Sequence, residues 1–240
     1  MTSLESRESR ESRESSGFTI ENSELEVIGR LVDASNASLL CVLPEIGQVI
    51  YKPIAGERPL WDFPDGNLAS REVIAYYISE LGKFNLVPKT VLRDGPFGMG
   101  AAQIWIDVDE EIDVVKFAQS QDPRLRSLAI FDAIINNADR KFGHILLAKD
   151  GQLFGCDHGV SLHEEDKLRT VIWQFADQNL TDSEVENISE ILQEIDETYL
   201  SSFITEAEIS ALKSRCLRLI ESRKFPLPNP NWPAIPWPPY

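Results

Sequence analysis

The chain has 240 residues, room for one medium domain or two closely packed lobes at roughly 150 residues per domain. With 42% hydrophobic and 26% charged residues it can bury a sizeable core, and its formal net charge of −16 opposes phosphate backbones and anionic lipid heads, so no nucleic-acid partner is expected. No run nears 18 consecutive apolar residues and no apolar leader opens the chain. The cysteines Cys41, Cys156 and Cys216 are odd in number and far apart, which suits a cytoplasmic protein without a membrane span.

Residues 5–15 repeat Glu-Ser-Arg without an apolar position, so residues 1–17 are expected to be a disordered charged tail. From 18 to 106 the pattern is a small β-rich lobe. Leu25–Leu31, Leu39–Leu43 and Gln48–Lys52 read as strands between turn-rich segments. One helix follows, with Asn67 as N-cap, Ala69–Leu81 as body and Gly82 as its C′ stop. Strands Leu86–Leu92 and Ala101–Ile106 close the lobe, with Gly98-Met99-Gly100 read as a hairpin turn.

Residues 107–225 read as a helical lobe. Asp122-Pro123 is an N-cap followed by proline at the first helical position, and the helix period runs to Asn136. A hairpin of Ile145–Leu147 and Leu153–Cys156 turns at Asp150-Gly151, and one or two long helices fill Asp182–Arg223. Thr170–Leu212 holds ten acidic residues and no Lys or Arg, a solvated anionic face. The tail 226–240 is proline-dense and extended, with Trp232, Trp237 and Tyr240 expected to pack back on the body. The acidic face and this tail are the two places where a protein partner would dock.

Chemistry concentrates around the hairpin. Asp139 follows a helix end, His144 opens the first strand five residues later, and Asp157-His158-Gly159 ends the return strand. The fold-back brings His144 and Asp157 together with Asp139 near the mouth, groups able to hold a divalent metal and orient a nucleophile.

This spacing resembles the catalytic core of the phosphatidylinositol 3-/4-kinase and protein-kinase-like superfamily, in which Asp-Arg is followed at the fifth position by a metal-binding residue and then by an Asp-Phe-Gly-like motif. The matching positions are Asp139-Arg140, His144 and Asp157-His158-Gly159. Lys52 ends the third strand and Glu72 lies 20 residues on, in the only helix of the small lobe, as the superfamily's lysine–glutamate pair requires. With Gly56–Gly66, Arg71-Glu72 and Asn137–Lys141, the chain is similar over about residues 25–225 to a bacterial phosphatidylinositol 3-/4-kinase-like family.

The resemblance implies a minimal two-lobed α+β kinase-like fold that binds ATP with Mg²⁺ or Mn²⁺. Lys52 would hold the α- and β-phosphates and Glu72 would orient it. Asp139 would position or deprotonate the acceptor hydroxyl, Arg140 would brace the loop, and His144 and Asp157 would carry the metal. Ser35 and Asn36, within Asp33–Ser38, would lie over the phosphates in place of a glycine-rich loop. Gln103, Trp105 and Ile106 would flank adenine. The loop Val160–Lys167 carries Glu164, Glu165 and Asp166, which disfavours a phosphoinositide and points to a protein or small-molecule acceptor. Two rivals remain: a nucleotide-binding pseudokinase, suggested by His144 in place of Asn, and a metal-dependent phosphohydrolase built on Asp139, His144, Asp157 and His158.

Overall fold

The computed structural model describes residues 19–31, 36–44 and 46–240. The repeat at 5–15 and the phosphate-cover residue Ser35 lie outside them. The first lobe is one five-stranded antiparallel sheet of β1 (Glu26–Arg30), β2 (Leu39–Leu43), β3 (Gly47–Pro53), β4 (Thr90–Gly95) and β5 (Gly98–Ile104), in the order β1-β2-β3-β5-β4. Central β3 buries Val49, Ile50 and Tyr51, and Val49 and Tyr51 join Cys41, Leu43 and Ala102 in a small core. Gly100 is required by close approach, because a Cβ there would stand 2.5 Å from the Lys52 carbonyl. The strands expected at Leu86–Leu92 and Ala101–Ile106 are shifted toward the hairpin. Gly98–Gly100 belong to β5, and the turn is Pro96-Phe97.

Helix α1 (Leu68–Leu81) starts where its caps dictate. Asn67 Oδ1 accepts the Ser70 amide at 2.7 Å, and the Glu57 carboxylate takes the amides of Leu68 and Ala69. Gly82 ends the helix with φ −80°, and Lys83 supplies the left-handed φ of 54° instead. Gly82 is there for space: a Cβ would meet the Phe84 ring at 2.5 Å and Ile191 at 2.9 Å.

The second lobe is built around α3 (Pro123–Ile135), which follows the short α2 (Val114–Ala118) and ends on left-handed Asn136. Nearly every α3 side chain from Leu128 onward is buried. They pack with Ile74 and Ile78 of α1, and with Ile188, Ile191, Leu212 and Leu219 further along, in one core. The region expected as one or two long helices is three: α4 (Asp182–Glu194), α5 (Glu197–Leu200) and α6 (Glu206–Ser222). Capping boxes at Thr181/Glu184 and Thr205/Glu208 start α4 and α6, since each threonine hydroxyl and N3 glutamate satisfy end amides reciprocally. Strands β6 (Ile145–Leu147) and β7 (Leu153–Gly155) form the hairpin, with Ile145 opposite Gly155. No helix among the described residues is long and apolar enough to cross a membrane.

Candidate active site

Three elements meet at Lys52. Its ammonium ion-pairs with Glu72 of α1 and, at 2.8 Å, with Oδ1 of Asp157 just beyond β7. Glu72 is buried, not solvated as a helix carboxylate would be by default, and its other oxygen accepts the His158 amide at 3.0 Å. A strand of the first lobe, its helix and the hairpin exit of the second lobe are thus joined through one lysine and one glutamate. Burial disfavours the Lys52 charge, but Asp157 and Glu72 outweigh it and hold its pKa above the ordinary lysine value. That same ammonium holds the Asp157 carboxyl well below the usual carboxylate range. Asp157 is left-handed at φ 59°, a conformation Asp tolerates better than most residues, and its side chain stays 49% exposed.

His144 Nε2 lies 3.4 Å from Asp157 Oδ2. Burial lowers the His144 pKa, so the ring is neutral near pH 7, and its buried Nδ1 finds no partner among the described residues. Two ligands on one small divalent cation stand about 3 Å apart at bonds of about 2.1 Å. The His144–Asp157 pair fits that spacing. Asp139 does not complete a triad: its carboxylate pairs with Lys141 at 3.1 Å, and no group of three His, Cys, Asp or Glu able to hold a metal occurs among the described residues. The three-group convergence expected from the hairpin is therefore corrected, for a metal, to His144 and Asp157.

Arg140 is wholly buried. Its Nε and Nη2 bind Asp132 of α3 at 2.8–3.3 Å, and Nη1 donates to the carbonyls of His144 and Cys156 at 3.1 Å each. Burial opposes the guanidinium charge and Asp132 more than offsets it. Arg140 Nη2 also lies 2.7 Å from His158 Nε2. A guanidinium has only donors, so Nε2 must accept and the ring is neutral with its proton on Nδ1. Burial, then the charge of Arg140, push the His158 pKa well down. His158 is thus paired with Arg140 through Nε2, while its Nδ1 lies 4.0 Å from Glu72 Oε2. Cys156, between hairpin and Asp157, has its thiol pushed up to about 12 by burial and is no nucleophile at neutral pH.

The expected nucleotide contacts are partly committed elsewhere. Asn36 Oδ1 accepts the Arg58 amide at 2.8 Å. Gln103 is buried in β5 with its carboxamide donating to Thr90 on the adjacent strand. Trp105 and Ile106 follow β5, half-buried, with the Trp105 indole bonded to Asp107 at 3.1 Å.

Sequence reasoning missed the residues that hold this arrangement. Arg71, beside Glu72, is 2% exposed and donates to Ser161 O at 2.8 Å and to Glu208 of α6 at 2.5 Å, fixing α1 against the second lobe. Asn136 takes the Lys167 amide on its oxygen and gives its own amide to His163 and Glu165 carbonyls, pinning the loop after Asp157. Asn137 bridges Asp132 and the Asp139 amide, at 3.0 Å each. The available signal was chemical: a carboxylate (Asp132) on the apolar face of α3 requires a buried cation.

Comparison with known proteins agrees with this geometry at the level of fold. The structure is similar to the Golgi casein kinase, with a TM-score of 0.54 over 84% of this chain and 72% of that one at 11% identity. It is similar to hydra Fam20, solved with sugar, with a TM-score of 0.51 over 84% of each chain at 16% identity. The chain has an α+β protein-kinase-like fold, an antiparallel sheet before a helical lobe. No family model matches the sequence, so membership of the phosphatidylinositol 3-/4-kinase-like family is not shown. Protein Rv2133c of Mycobacterium tuberculosis is 40% identical over an alignment of 261 residues covering 91% of this chain and 93% of that protein. The chain belongs to the same family as that mycobacterial protein.

Proposed function

We propose that the protein is an ATP-dependent phosphotransferase acting on a hydroxyl of a protein or small molecule. The observation that carries this reading is the joint engagement of Lys52 by Glu72 and Asp157 in a kinase-like fold. ATP would supply the phosphoryl group, and a divalent cation would offset its charge. Lys52, steadied by Glu72, offers its ammonium to the α- and β-phosphates. His144 and Asp157 would hold the cation, where the imidazole would favour Mn²⁺ over Mg²⁺. Asp139 takes the acceptor proton, and Arg140 keeps the hairpin in register beneath it. The segment 104–106 would edge the base. Glu164, Glu165 and Asp166 are exposed after the hairpin, and Lys167 is buried against Asp62, which opposes a polyphosphorylated headgroup there.

Thermal shift with ATP and Mn²⁺ or Mg²⁺, beside turnover of Asp139→Asn, tests the reading. Asp139→Asn should bind ATP normally and lose transfer by orders of magnitude. Equal turnover by the variant would overturn the role of Asp139. A second reading, a nucleotide-binding pseudokinase, is favoured by the buried His144 where the superfamily has a carboxamide. It predicts an ATP-dependent shift with no turnover in either metal.

A further inference from the structure

The last residues of the chain return to the catalytic loop. The Trp232 ring carries Lys167 and Arg169 at 5.2 and 5.6 Å from its centroid. The Ala234 carbonyl then accepts from the Thr170 amide at 3.0 Å and the Trp173 indole at 2.7 Å, and Thr170 is bridged to Arg140 in parallel. The Pro239 carbonyl accepts the Phe142 amide at 2.9 Å. The Tyr240 ring lies beside Gly143, 4.0 Å from where a Cβ would stand. Trp237, expected to pack on the body, is 88% exposed, and Tyr240 is 68% exposed. The tail is therefore seated by backbone carbonyls and by Trp232, and its later aromatic side chains contribute less.

Phe142 sits midway between Asp139 and His144. Among the described residues, the other backbone bonds of Lys141–Gly143 are local: His144 N to Lys141 O, and Ile145 N to Phe142 O. A single turn with one or two internal bonds is marginal by itself. The Phe142 ring packs against the main core and the His144 carbonyl is held by Arg140 and the Cys156 amide, while the bond to Pro239 is what ties the Phe142 amide itself to a distant element. We propose that Pro238–Tyr240 form a latch, in which Pro239 is a positioning residue that holds the loop between Asp139 and His144 in its working geometry. Proline suits the task because it has no amide to satisfy while its carbonyl remains a full acceptor. The kinetic consequence rests on the phosphotransferase reading; the structural consequence does not.

The experiment compares the full chain, a variant ending at Trp237, and full-length Tyr240→Ala. Ending at Trp237 removes the Pro239 carbonyl but keeps Trp232 and Ala234. Tyr240→Ala removes the ring and keeps the carbonyl. Hydrogen exchange over residues 139–146 should quicken by about tenfold or more at the Phe142 amide in the shortened chain, and stay protected in Tyr240→Ala. ATP affinity, set by Lys52 and its partners, should change by less than about twofold. The kcat of transfer should fall about tenfold to a hundredfold with the acceptor KM little changed, as expected when a reacting group drifts by a fraction of an ångström. Unchanged exchange at Phe142 in the shortened chain overturns the latch. Quickened exchange with unchanged kcat overturns its role in positioning. Failure of the full chain to bind ATP overturns the functional reading, while the exchange result still decides the latch.

Discussion

Lys52 and Arg140 are two cations on either side of Asp157-His158, and they are held in opposite ways. Arg140 is fully buried, and its partners (Asp132, His158 and two hairpin carbonyls) all belong to the second lobe. Lys52 keeps 19% of its side chain exposed and reaches from the first lobe to Asp157, which is half open to solvent. The first cation is a rivet: nothing from solution can reach it, and its worth lies in keeping the hairpin on α3. The second has one buried anchor, Glu72, and one accessible partner that an incoming anion or cation can replace. A fully buried cation is held by fixed partners, whereas one paired with a half-exposed carboxylate stays open to solvent.

Breaking the rivet should have the largest effect. Arg140→Ala leaves Asp132 charged and buried without its guanidinium, a loss of about 3–5 kcal/mol. At about 2–4 °C per kcal/mol for a chain of this size, the melting temperature should drop by about 6–20 °C. A drop under about 3 °C by calorimetry would show that the buried pair holds little. Lys52→Ala comes next and should separate the two kinds of cation. The shortened side chain should abolish most of the melting shift given by ATP and metal, with a smaller drop in the apo protein than Arg140→Ala. An undiminished ATP shift would detach Lys52 from the site.

The histidine between these cations sharpens the contrast through pH. His158 is neutral and buried in the fold, with its pKa pushed below that of the unfolded chain. The unfolded state therefore binds the extra proton below about pH 6.5, and stability is lost as pH falls through that value, by up to about 1.4 kcal/mol per pH unit per group. His144 adds in the same direction. Asp157, whose folded pKa is depressed, contributes stability that is present at neutral pH and fades only below about pH 4. His158→Gln keeps an acceptor for Arg140 without a titrating ring, so urea melts from pH 7 to 5 should show a shallower loss than wild type. An identical slope would place the titration elsewhere. The smallest effect belongs to the exposed pair at the loop mouth. Lys141→Ala breaks a 3.1 Å contact with Asp139 between partly exposed groups and should change stability by less than about 1 kcal/mol.

Local chemistry made much of this molecule readable from its residues. Asn67, Asp122-Pro123 and Asn136 mark helix ends because a cap or a left-handed residue acts within one turn of the backbone. Strands β1–β3 and the β6–β7 hairpin follow from apolar runs and turn residues in the same way, and the order Lys52, Glu72, Asp139, Asp157 carried the kinase-like fold. Other features were decided only by packing. Gly82 ends α1 as its residues suggest, but the closeness of the Phe84 ring and Ile191, and the left-handed φ at Lys83, are set by packing. Asp139, His144, Asp157 and His158 looked like one cluster. Tertiary structure pairs them differently: Asp139 with Lys141, His158 with Arg140, and His144 with Asp157. The seat of the tail on Phe142 left no mark in the sequence, because it is made by main-chain carbonyls that every residue carries. Sequence by itself determined the elements, their order and the chemical groups available. Which of those groups meet, across separations as long as the 105 residues between Lys52 and Asp157, was decided by the burial and close packing of α1, α3 and the hairpin.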